Sequence, residues 1–140
     1  AAYRTVLRAI REEFDAQDRH LWVLVHGYDY PIPRGLAVRG WLRIPFENRN
    51  YDLTLPADML AATQGMAEVI DAFNTMLSQL PAEFPFVHHV DLRRTIEQAW
   101  PGSPENGWAN DLHPVDEGFA LMAARIDAAL EALPAAPPRV

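Results

Sequence analysis

The 140-residue sequence contains no cysteine, no lysine and only two serines, Ser78 and Ser103. Without cysteine there is neither a disulfide framework nor a thiolate metal site. All twelve basic side chains are therefore arginines, against nineteen acids, for a net charge of −7. An acidic chain with no basic tract is a poor electrostatic match for nucleic acid or for an anionic membrane surface. No apolar run approaches the ~18 residues that a membrane helix needs. No glycine spacing matches a phosphate loop, so no nucleotide or other cofactor is expected. What is present is a single-domain length, an apolar content of 49% that is enough for a core, and twelve prolines that punctuate the chain.

The hydrophobic periods predict helix, strand, helix, strand, helix. Tyr3, Val6, Leu7, Ile10 and Phe14 share one helical face, which ends near residues 15–19. Residues 21–26 form a short continuous apolar run closed by Gly27, the pattern of a strand buried on both faces. Residues 27–55 show neither period and read as a long loop of the kind that carries function. Pro56 then opens the clearest helix, with Met59, Met66, Val69, Ile70, Phe73, Met76, Leu77 and Leu80 as its stripe and Pro81 as its stop. Residues 84–92 give a second buried strand. Residues 93–114 form a second long loop with a helical turn near 95–99. The last helix begins at Val115 or Asp116 and turns Phe119, Met122, Ala123, Ile126 and Leu130 to one side. Residues 134–140, rich in proline and alanine, read as a mobile tail, which leaves 1–133 as the domain.

This alternation predicts an α/β fold with a parallel sheet and helices on both faces. Two parallel strands leave both sheet edges open and apolar. The fold is therefore expected to be incomplete, its missing strands supplied by a parent chain or by another chain. Taken alone, the chain is expected to associate. Ligands of open α/β sheets bind beyond the carboxyl ends of the strands, and both long loops emerge there.

The second loop ends in Asn110-Asp111-Leu112-His113-Pro114. A histidine at a loop-to-helix junction, with side-chain oxygens two and three residues upstream, suits acid/base chemistry. An upstream oxygen accepts the Nδ1 proton and leaves Nε2 to take a proton from a nucleophile. The same residues also suit a plain helix cap, and spacing does not decide whether Asn110 or Asp111 would orient the ring. In the first loop His26 and Tyr28 stand at the end of the first strand, as pocket-lining or turn residues. Arg34, Arg39, Arg43 and Arg49, interleaved with Trp41, Phe46 and Tyr51, can clamp an anionic substrate group or simply be solvated. His88 and His89 point to opposite faces of a strand, so they do not form one metal site; His89 and Asp91 share a face.

Asn110-Asp111-Leu112-His113-Pro114 with the trailing Gly118-Phe119 and an alanine-rich helix resembles the last conserved block of the SGNH hydrolases, the GDSL-type esterases and lipases. Val90-Asp91-Leu92 and Val25-His26-Gly27-Tyr28-Asp29-Tyr30-Pro31 resemble the corresponding parts of bacterial members. The resemblance implies a flavodoxin-like three-layer sandwich and hydrolysis of small-molecule esters or acyl groups, without cofactor, by a serine nucleophile. It makes His113 the catalytic base, with Asp111 or Asn110 behind it. Topology, and not the resemblance, sets His26, Tyr28, Trp41 and Arg43 at the same sheet edge as candidate substrate-binding residues. Two departures stand out. No Gly-Asp-Ser-type block occurs, so the nucleophile lies outside this chain. The position three before the histidine, usually Asp in the family, is Asn110. The alternative function is a noncatalytic α/β interaction subunit in which the motif survives as a cap.

Overall fold

A computed structural model describes residues 2–19, 21–33 and 41–137. Helix α1 spans Ala2–Ala16, strand β1 Val23–His26, α2 Arg43–Glu47, α3 Pro56–Ser78, α4 Leu80–Glu83, β2 Val87–Val90, α5 Thr95–Ala99 and α6 Asp116–Ala132, with a 3-10 turn over Pro104–Gly107. No helix among the described residues is long and apolar enough to cross a membrane.

The two strands pair in parallel, with Val23 opposite Val87 and His26 opposite Val90. The protein is thus a mixed α/β fold around a two-stranded sheet. Side-chain alternation sends successive residues to opposite faces, and two apolar clusters result. Val25 and Val87 join Leu7, Leu77, Leu80, Phe84 and Phe86, with Ile10, Phe14 and Phe73 packed alongside. Val90 joins Leu92, Ile96, Trp108 and Met122, with Leu24, Tyr28 and Ile126 alongside. The second strand is shorter than expected because Phe84 and Phe86 instead pack in the turn that leads into it.

Each helix buries only part of the stripe expected of it. Leu7 is the buried residue of α1, while Val6 is 58% exposed, because only the row near Leu7, Ile10 and Phe14 meets the sheet. In α3, Ile70, Asn74 and Leu77 are buried at spacings of four and three, and Val69 faces out at 60%. In α6, Met122 is buried but Phe119 is 46% exposed.

Proline acts differently at two places from the sequence expectation. Pro81 does not stop the chain's helical course: it sits in the first turn of α4, where a missing N–H costs nothing. Pro45 lies inside α2, a five-residue helix within the stretch read as loop and too short to show a period. The segment read as a tail is docked over its described part. The Trp22 indole donates to the Pro134 carbonyl at 2.9 Å, and Pro137 is buried.

Candidate active site

The turn that carries His113 is built from backbone pairing on a packed floor. Trp108 and Pro114 form an isolated antiparallel bridge, Ala109 N–H donates to the His113 carbonyl at 2.8 Å, and Val115 N–H donates to the Gly107 carbonyl at 3.0 Å. Trp108 is buried beneath. Gly107 is required by close approach: a β-carbon there would overlap Ile96 and Trp100. Inside the turn, Asn110 Oδ1 accepts the backbone N–H groups of Leu112 and His113, each at 3.0 Å. Those two donors identify it as the oxygen, and the same atom lies 3.0 Å from His113 Nδ1. An amide oxygen only accepts, so Nδ1 carries the ring proton and Nε2 keeps its lone pair. The ring is exposed, and Nε2 makes no hydrogen bond among the described residues.

Two segments of the first loop reach this turn. The Tyr28 hydroxyl donates to the Leu112 carbonyl, and its ring packs on Trp108 with centroids 5.9 Å apart. Burial, and then the neighbouring Asp29 charge, raise the Tyr28 pKa, so the hydroxyl keeps the proton it donates. Farther along, Leu42 N–H donates to Asp111 Oδ2 at 3.2 Å, and Asp111 is fully buried. Beside that anchor the Trp41 ring stands edge-on to His113, centroids 6.5 Å apart.

Five of the residues named from sequence therefore meet: Tyr28, Trp41, Asn110, Asp111 and His113. His26 and Arg43 engage elsewhere. His26 Nδ1 lies 2.8 Å from the carbonyl of Gly27, and Arg43 pairs with Glu47 along α2 at 2.5 Å. Arg49 donates to the Pro45 carbonyl, Phe46 stands edge-on to Tyr51, and Arg34 and Arg39 lie outside the described residues. The chain matches no known family model, no curated protein and no solved structure.

The arrangement also contains groups that sequence reasoning passed over. Asp29 is 1% exposed. Its Oδ1 accepts Tyr30 N–H at 2.8 Å and Arg94 N–H at 2.6 Å, and its Oδ2 accepts Ile96 N–H at 2.7 Å. This carboxylate caps α5 from the other strand's loop and so holds the two loops together. Arg94, the residue before α5, takes a left-handed backbone with φ 60°. Next to it Arg93 bridges Asp91 at 2.6 Å and Asp71 at 2.7 Å, and Tyr30 donates its hydroxyl to Asp71. The bonds from Tyr30 and then Arg93 hold the Asp71 carboxyl below its ordinary value, and Arg93 does the same for Asp91. Behind β2, His89 Nε2 faces Asn74 Oδ1 at 3.2 Å, and burial pushes its pKa down. No cluster of three metal-ligating side chains occurs among the described residues. The chemistry the geometry allows is proton transfer: an imidazole with Nδ1 held by a neutral oxygen and Nε2 open to a substrate.

Proposed function

We propose that this chain supplies the general base of a serine ester or acyl hydrolase of SGNH type. The two-stranded parallel sheet is then part of a flavodoxin-like three-layer sandwich, completed by strands from outside these residues. The observation that carries this reading is the contact of Asn110 Oδ1 with His113 Nδ1 at 3.0 Å, which leaves Nε2 without a hydrogen bond among the described residues, on an exposed ring. It is joined by the order of residues around it, Asn110-Asp111-Leu112-His113-Pro114, and by its place on a loop after the carboxyl end of β2.

Neither serine in the chain suits the nucleophile's role. Ser78 ends α3 and donates to the Thr75 carbonyl at 2.9 Å, and Ser103 lies in the turn before Pro104. The attacking hydroxyl comes from a serine outside residues 1–140. As its oxygen bonds to the acyl carbon, Nε2 of His113 takes its proton. The imidazolium then gives that proton to the alcohol oxygen as the ester C–O bond breaks. A water repeats the sequence: His113 accepts one of its protons, the hydroxide adds to the acyl carbon, and the proton returns to the serine as the acid leaves. Asn110 keeps the ring in the required tautomer throughout. An amide carries no charge, so it orients the imidazolium without the stabilisation that a carboxylate gives.

The test is His113→Ala in the complete protein with its serine, assayed with a chromogenic ester. Turnover should fall roughly 10³-fold or more. The thermal midpoint should hardly move, because the ring is exposed. Near-normal turnover would leave Asn110 and His113 as the cap of a noncatalytic interaction subunit.

A further inference from the structure

A groove of about 340 Å³ runs between α2 and α3. One wall is Leu42, Pro45 and Phe46, and the other is Gly65, Met66 and Val69. The volume falls in the range of small-molecule sites. Its walls are apolar, and the one charged side chain among its described lining residues, Arg49, is turned onto the Pro45 carbonyl at 2.8 Å. The groove begins one residue from Trp41, and Leu42 anchors that end by donating its N–H to Asp111 in the His113 turn. Its apolar character continues outward: Trp41 is 64% exposed, Ile44 66% and Val69 60%. The α2 helix buries none of its own residues, and two of them, Pro45 and Phe46, line the groove.

Gly65 sits in the middle of α3, where glycine weakens a helix by ~1 kcal/mol relative to alanine. No packing accounts for it: a β-carbon there would meet nothing within 4 Å. Gly65 therefore leaves open space in the wall where a side chain would stand.

We infer that the groove binds the unbranched aliphatic chain of the substrate, and that Gly65 sets how long that chain can be. The inference rests on the hydrolase reading for its direction, with the ester at His113 and the chain running away past Trp41. The site binds by apolar burial, so a free fatty acid serves as a probe independent of turnover.

The experiment uses the full protein and two readouts. The first is binding of dodecanoate, followed by calorimetry, in the His113→Ala background so that no chemistry intervenes. The second is kcat/KM for p-nitrophenyl acetate and p-nitrophenyl dodecanoate in the active protein. Gly65→Leu fills the groove with a good helix former and should leave folding intact. It should weaken dodecanoate binding ~10-fold or more and cut dodecanoyl turnover by a similar factor, with acetate turnover unchanged. Val69→Asp, on an exposed position of the same wall, should weaken dodecanoate binding in the same direction. Absence of dodecanoate binding, or equal binding in the parent and both variants, overturns the inference. Dodecanoate binding lost in both variants upholds it even if no ester is ever turned over, a result that would count only against the hydrolase reading.

Discussion

Two side chains in this protein, Asn110 and Asp29, each collect three N–H donors, and they are put to opposite uses. Asn110 Oδ1 accepts two backbone amides and faces the His113 ring at 3.0 Å, in an exposed turn. Asp29 gathers three backbone amides between 2.6 and 2.8 Å and is 1% exposed. The charged acceptor is buried, and its donors are all main chain from both loops. The neutral acceptor is at the surface, and one of its donors is a titratable ring. A buried carboxylate with three charge-assisted bonds is a fastening. An exposed amide that shares its oxygen with an imidazole fixes a tautomer while leaving the ring accessible. The comparison separates what holds the two loops together from what the loops present.

Substituting Asp29 gives the largest effect on stability. Asp29→Ala leaves the N–H groups of Tyr30, Arg94 and Ile96 without their acceptor in a buried place, and should cost about 3–5 kcal/mol, read by chemical denaturation. A loss below about 1 kcal/mol would mean that the cap is dispensable and the comparison misplaced. Asn110→Ala comes next and acts on turnover. It should lower kcat roughly 10²-fold in the complete protein, because the ring loses its tautomer partner, and should cost no more than about 1–2 kcal/mol of stability. Asn110→Asp sharpens the contrast further: a carboxylate at the same place adds the charge stabilisation of the imidazolium that an amide lacks, and should keep or increase turnover. A loss of turnover as large as that of Asn110→Ala would show that Asn110 serves the backbone turn alone.

The smallest effect is in acid. His89, Asp71 and Asp91 all have folded pKa values below their ordinary ones. In each case the unfolded chain takes up its proton first as pH falls, so stability falls with it. The contribution of His89 is complete above its ordinary value of ~6.5 and is lost below it, and those of the two carboxyls are complete above ~3.9 and are lost as pH drops through their folded values. Thermal midpoints should therefore decline in two stages between neutral pH and pH 3. In Arg93→Met, which removes the guanidinium between Asp71 and Asp91, the lower stage should flatten. A lower stage of unchanged slope in that variant would place the acid sensitivity elsewhere.

The order of helices and strands was legible because it rests on local period. The turn at Thr95–Ala99 and the start of α6 at Asp116 fall where the sequence places them. His113 with Asn110 was legible as a candidate because the whole constellation lies within four residues. Asp29 was not legible as a cap, since its donors Arg94 and Ile96 belong to the other strand's loop. Nor were the partners of Arg93, because Asp71 lies on α3 and only the fold brings it near. The surroundings of Asp111 were not legible either: it accepts Leu42 N–H, a contact between two irregular segments that no periodicity encodes, whereas the 3.0 Å approach of Asn110 Oδ1 to His113 Nδ1 lies within one turn. The short helix α2 escaped notice for the opposite reason: five residues with a proline in the middle hold too little signal.

The parallel register of the sheet also governs how the chain reaches its folded state. Val23 meets Val87 across a crossover that contains α2, α3 and α4, so the ladder joins segments far apart in sequence. Loop-closure entropy disfavours pairing across so long a stretch, and a helical α3, whose Leu77 shares a cluster with Val25, shortens the span to be closed. The helix that lines the groove is thus also the spacer between the two strands. A substitution in its buried row, at Ile70 or Leu77, should slow refolding, whereas one on its open side, at Gly65 or Val69, should leave the rate alone.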